Sequence, residues 1–145
     1  MKPAREQLLL AKSLSEVKKD AWKLFSELIR RDQADKDGLV KCCSCGKIVH
    51  WKQSQAGHWP SIAGRTNAVL FARKGVHPQC GQCNVYKDGN PAGYNEYMEE
   101  NYTKKERDEL LKLKRTQVHY EKIDLIKMMD RWLAELEKLD KIAGI

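Results

Sequence analysis

The chain has 145 residues, 32% charged and 41% apolar, with a formal net charge of +7. That length suits one domain, but with a core thin enough to need help such as a bound metal. No apolar run approaches the roughly 18 residues of a membrane span, and no signal-peptide pattern is visible, so a soluble cytoplasmic protein with no membrane role is expected.

Residues 1–12 carry Leu8, Leu9 and Leu10 in an otherwise polar context, which predicts a frayed or weakly helical arm. Ser13-x-x-Glu16 has the form of a capping box. Leu14, Val17, Ala21, Leu24, Phe25 and Leu28 then recur at helical spacing, with Trp22 and Ile29 widening the stripe. This helix should end within residues 30–38, where Asp35-Lys36-Asp37-Gly38 makes a turn.

Two Cys-x-x-Cys pairs follow, Cys42/Cys45 and Cys80/Cys83, with 34 residues between them. Each pair lets two sulfurs of one tight turn reach one metal, and two such turns complete a tetrahedral thiolate shell, so structural zinc is expected here. Cys43, inside the first turn, should point away from the ion. A disulfide framework fits poorly, because five cysteines leave an odd thiol. Leu39 and Val40 enter the first knuckle, residues 47–51 (Lys-Ile-Val-His-Trp) leave it as strand, and a second extended piece should lie around residues 56–59. Residues 60–75, with Pro60, Gly64 and Gly75, read mainly as a loop anchored by Val69, Leu70 and Phe71. The expected unit is a knuckle, a hairpin, a loop, and a second knuckle opening a short helix at Asn84.

Asn90-Pro91 looks like an N-cap followed by proline at the first helical position, with Tyr94, Tyr97 and Met98 on the apolar side. Thr103-x-x-Glu106 is a second capping box, opening a charged helix through Leu110, Leu111 and Leu113. In the last helix Leu125, Met129, Trp132, Leu136 and Leu139 form a seam with Ile126 and Leu133 beside it. That seam can pack on the N-terminal helix of the same chain or form a dimer interface. Three regions result, an N-terminal helical region (1–38), a zinc-binding core (39–90) and a C-terminal helical region (91–145), within one compact domain overall.

Charge is concentrated rather than spread. Residues 41–90 hold Lys41, Lys47, Lys52, Arg65, Arg73, Lys74 and Lys87 against one acid, Asp88, a net of +6 out of the chain's +7. A basic surface around a metal core points to a polyanion, and nucleic acid is the commonest one.

The order Cys42-x-x-Cys45, Gly57-His58, Cys80-x-x-Cys83-Asn84 resembles the His-Me finger (HNH) nucleases that bury a structural zinc. More closely, residues 22–31, His50-Trp51-Lys52, Gln55-Ala56-Gly57-His58, Val76-His77-Pro78-Gln79-Cys80 and Gly89-Asn90-Pro91 resemble the phage NinG (Rap) recombination proteins over roughly residues 20–140. The resemblance implies an α+β, mostly α fold, in which a small treble-clef or ββα zinc-stapled His-Me finger core is flanked by N- and C-terminal helices. It also implies a recombination endonuclease acting on branched DNA such as Holliday junctions and D-loops, with host or phage recombination proteins as further partners.

Phosphodiester hydrolysis needs a deprotonated water and charge stabilisation at the phosphate. The resemblance makes His58 the general base and Asn84 the protein ligand of a catalytic magnesium or manganese ion. Lys52, Arg65, Arg73, Lys74, Lys87 and Asn90 are the candidate DNA contacts. Each has a structural alternative: a turn or hydrogen-bond role for His58, a backbone role for Asn84, a helix cap for Asn90. His77 reads as a buried partner or a metal neighbour, His50 as a weak zinc candidate, and His119 as a surface residue. Trp51 and Trp59 can pack the hairpin or stack on unpaired bases. Two departures stand out. Gly57 occupies the place where many HNH nucleases carry an acidic ligand, and Gly75 the place where the related pattern usually has asparagine.

Three functions compete: a structure-selective endonuclease, a non-catalytic zinc protein that binds DNA as a recombination accessory factor, and a thiol-redox protein. Resolving a junction takes two cuts across a two-fold centre, so the nuclease reading carries with it a homodimer through the helical tail.

Overall fold

The computed structural model describes residues 3–61 and 68–142. Among them run α1 (Pro3–Leu10), α2 (Leu14–Asp32), β1 (Leu39–Lys41), β2 (Ile48–His50), β3 (Ser54–His58), β4 (Val76–Cys80), α3 (Pro91–Asn101), α4 (Lys104–Lys114) and α5 (Lys122–Ile142). The fold is mostly helical α+β with two small antiparallel sheets. The chain divides into two compact units, one of Ile29–Val118 and one joining Met1–Leu28 to His119–Ile145. Among the described residues no helix is long and apolar enough to cross a membrane.

In the helical unit the Ser13 hydroxyl accepts the Glu16 N–H, capping α2 as its sequence requires. Val17, Ala21, Phe25 and Leu28 are buried on α2, and Leu125, Ile126, Met129, Trp132 and Leu136 on α5. The Phe25 and Trp132 rings lie 4.9 Å apart, so the seam of the tail packs on the N-terminal helix of its own chain. Each such side chain removed from water is worth about 1.5–3 kcal/mol. The N-terminal arm is a formed helix: Leu9 is buried, and the Lys122 ammonium donates to the Leu10 carbonyl at 3.1 Å.

In the other unit the strands pair as β1 with β2 and β3 with β4. The chain leaving the first knuckle therefore folds back on Leu39–Lys41, and the extended piece after it takes its partner from across the loop. A 3₁₀ turn, Trp51–Gln53, separates the two pairings. β4 escapes a reading by periodicity because all five of its residues are buried, which erases the polar–apolar alternation, and because Pro78 suggests a break. Pro78 still serves the fold, since its carbonyl accepts the Cys43 N–H at 3.0 Å. The expected short helix at Asn84 is a π-helical turn, Gln82–Tyr86, that begins two residues earlier. Asp88, Gly89 and Asn90 then run left-handed, with φ of 49°, 85° and 42°. Asn90 caps α3 and Pro91 opens it, while Thr103 and Glu106 close both halves of the capping box on α4. Tyr94, Met98 and Leu110 form the core between these helices.

Candidate metal centre and catalytic cleft

The two knuckles bring the sulfurs of Cys42, Cys45, Cys80 and Cys83 within 4.8 Å of one another. Cys45 Sγ and Cys80 Sγ are 3.7 Å apart, matching the edge of about 3.8 Å that four sulfurs at roughly 2.3 Å from zinc would have. This cluster could hold one structural zinc ion. Burial opposes charge on Cys42, yet backbone N–H groups of Cys80, Cys45 and Ser44 outweigh it and bring that thiol down to about 7. The Asn90 amide donates to Cys83 Sγ at 3.4 Å, the kind of outer contact that steadies a metal thiolate. Cys43 turns to the Ser44 hydroxyl instead, and burial pushes its thiol up to about 12. Cys43 lies outside the group of four sulfurs, as its place inside the turn implies.

Beside this centre lies a cleft of about 340 Å³, lined by His58, Trp59, Gln79, Asn84, Asp88 and Tyr94 among others. His58 ends β3, and its Nε2 is 3.1 Å from the Leu70 carbonyl. A carbonyl can only accept, so Nε2 carries a hydrogen. Asn84 rides on the π turn and donates its amide N–H to Gln55 Oε1, which leaves its own carbonyl oxygen as the acceptor end. The two residues singled out for chemistry thus line one cleft.

Both glycines that depart from the nuclease pattern are required by close packing. A Cβ at Gly57 would overlap Gln79 Oε1, and one at Gly75 would come within 2.6 Å of the Trp59 carbonyl. A side chain at position 57 would have to displace the end of Gln79.

His77 is not on the cleft wall. It is 2% exposed, with Nδ1 3.0 Å from the Tyr94 hydroxyl and Nε2 2.7 Å from the Tyr102 hydroxyl. The Tyr94 O–H donates to the Gly57 carbonyl, so Tyr94 must accept from His77 Nδ1–H, and Tyr102 must donate to Nε2. A neutral imidazole satisfies every partner, and its role is structural. Burial pushes its pKa down to about 4 from 6.5. As pH falls the unfolded chain takes up this proton first, so the stability present above about 6.5 is lost progressively until about 4. Urea unfolding should show about 2 kcal/mol lost between pH 7 and pH 5 beyond any loss in His77→Gln, since thiol protonation is common to both chains. Parallel pH profiles for the two would contradict this role.

The candidate DNA contacts occupy varied settings. Lys52, Arg73, Lys74 and Lys87 are exposed, and Arg65 lies outside the described residues. The Lys52 ammonium lies over the Trp51 ring, and Lys74 pairs with Glu106 at 2.9 Å. Asn90 turns both ends of its amide inward, to Gly93 N–H and to Cys83. His50 accepts the Lys52 N–H and stands apart from the thiol cluster, and His119 is exposed. Trp59 donates to Asn95 Oδ1 at 2.6 Å while lining the cleft, so it serves packing first. Sequence reasoning missed Leu70, which sets the His58 tautomer, and Gln79, hidden inside an unbroken buried run. The only signal for Gln79 was a polar residue next to Cys80 in an apolar setting.

A family model described as bacteriophage lambda NinG protein matches residues 2–142 of the chain. No curated protein and no solved structure matches it.

Proposed function

The chain belongs to the NinG family, and from that premise we propose a structure-selective DNA endonuclease with a zinc-stapled His-Me finger core, cutting branched DNA such as Holliday junctions and D-loops during phage recombination. Its support is one observation: His58 and Asn84 line the same cleft.

In this reading a water hydrogen-bonded to His58 Nδ1 gives up its proton and attacks the phosphorus in line. The 3′ oxygen departs and takes up a proton from solvent, leaving a 5′-phosphate and a 3′-hydroxyl. Asn84 Oδ1 would hold a magnesium or manganese ion, whose contribution when bound is to offset negative charge at the phosphate. Lys52, Arg65, Arg73, Lys74 and Lys87 share the backbone phosphates, while Asn90 acts through Cys83. The zinc at Cys42, Cys45, Cys80 and Cys83 is structural. A homodimer makes the paired cuts, inside the cytoplasm of a host bacterium. Light scattering should find two copies of the chain on each four-way junction; one copy would contradict the paired-cut scheme.

Incubating the protein with a four-way junction and with plain duplex, in magnesium or manganese, tests the reading. Nicks concentrated at the branch support it. Tight junction binding with no nick under any divalent ion would leave a DNA-binding accessory protein instead. Binding should rest on phosphate contacts, so log Kd should change linearly with log salt. Lys87→Ala should lower that slope by about one and weaken junction and duplex binding alike. An unchanged slope would remove Lys87 from the interface.

A further inference from the structure

Gln79 is 1% exposed, and its Nε2 donates to the Ser44 hydroxyl at 2.7 Å and to the Gly89 carbonyl at 2.8 Å. The Gly89 carbonyl can only accept, so the nitrogen must face it and Oε1 must face the other way. That oxygen is buried with no hydrogen-bond partner, although Gln79 lines the cleft of His58 and Asn84. Buried carbonyl oxygens are rarely left this way, and among the described residues this one has nothing to accept. It occupies the space that a side chain at position 57 would need.

The same hydrogen bond to Gly89 braces the turn that presents Asp88. Asp88 holds φ at 49°, a left-handed conformation that residues with a Cβ seldom adopt. The turn is locked by Gly89 N–H to the Cys83 carbonyl at 2.8 Å and Asn90 N–H to the Lys87 carbonyl at 2.7 Å. Asp88 also lines the cleft, and it is the one acid within residues 41–90.

We propose that Gln79 Oε1, Asn84 Oδ1 and the Asp88 carboxylate together form the divalent-cation site of this cleft, with Gln79 taking the place that Gly57 vacates. This rests on the nuclease reading and supplies what that reading lacks, a charged ligand. Three oxygens, two neutral and one anionic, suit a hard ion such as magnesium or manganese, with waters and phosphate oxygens completing its shell. They exclude a soft ion, which the neighbouring thiols would take. Gly57 then has a positive function, because any side chain there would displace the Gln79 oxygen.

The test is a magnesium titration of isotope-labelled, zinc-loaded protein, following the side-chain carbonyl carbons of Gln79, Asn84 and Asp88 by NMR. All three should shift along one binding curve. Asp88→Asn, at an exposed position, should keep the fold and weaken magnesium binding about tenfold or more. A Gln79 carbon that stays fixed while the others move, or Asp88→Asn with wild-type affinity, would overturn the site. Nicking measured on the same samples separates the two ideas. Cleavage with an unmoved Gln79 ends this inference and leaves the nuclease standing. Coupled shifts without cleavage would support the ion site and remove the nuclease.

Discussion

Replacing Cys80 with serine is expected to unfold residues 29–118. Cys80 ends β4, is 3% exposed, and its sulfur stands 3.7 Å from that of Cys45. The unit has two short sheets and a modest core in which Val40, Val69, Leu70 and Val76 are buried besides Tyr94, Met98 and Leu110. Structural zinc contributes an apparent 10–16 kcal/mol in small zinc modules, about as large as the whole ~5–15 kcal/mol stability of an ordinary domain. Losing one thiolate leaves three sulfurs in a geometry built for four, and the first knuckle loses its tie to β4. Elemental analysis should find one zinc per chain in wild type and far less in the variant. The variant should also lose dispersed NMR signals from β3, β4 and α3. A Cys43→Ser chain should keep both zinc and fold, because Cys43 faces Ser44 rather than the cluster. A native spectrum from Cys80→Ser would mean that packing alone holds the unit.

The second large effect is His58→Ala, which should lower the nicking rate by about 10²–10⁴-fold, the usual span for a lost general base. The ring sits at the end of β3, half-buried at the cleft, and its backbone stays paired with Val76 whatever the side chain. Zinc content and junction affinity should therefore remain at wild-type levels. That combination separates a catalytic role from a folding one. His58→Gln, which can keep a hydrogen bond to the Leu70 carbonyl but cannot take up a proton at neutral pH, should be as inactive as the alanine variant. Activity in His58→Gln near that of wild type would assign His58 to positioning alone.

What the sequence disclosed here is what is local. The Ser13 and Thr103 caps, the α2 stripe and the Cys-x-x-Cys knuckles each depend on residues within a turn or two; the caps and knuckles formed as read, and so did the stripe except at Leu14, which is exposed. The strand pairing was not legible, because β4 is buried on every side and interrupted by Pro78, so no alternation marks it. Nor was the tautomer of His58 legible, since its partner Leu70 lies across a loop that no periodicity describes. The reasons for Gly57 and Gly75 became clear only in space, where Gln79 and the Trp59 carbonyl fill the volume a side chain would need. His77 could be placed near the second knuckle from sequence, but its two tyrosine partners come from the first turn of α3 and the residue that caps its end.

In the proposed reaction, water activated in the His58 cleft breaks a DNA phosphodiester bond. The most direct measurement is to digest a four-way junction with wild-type protein in water enriched in heavy oxygen and weigh the products. Strands nicked at the branch are expected, each with one heavy oxygen in a new 5′-phosphate and an unlabelled 3′-hydroxyl. Intact strands on a junction that the protein demonstrably binds, or cut ends without the label, would contradict it.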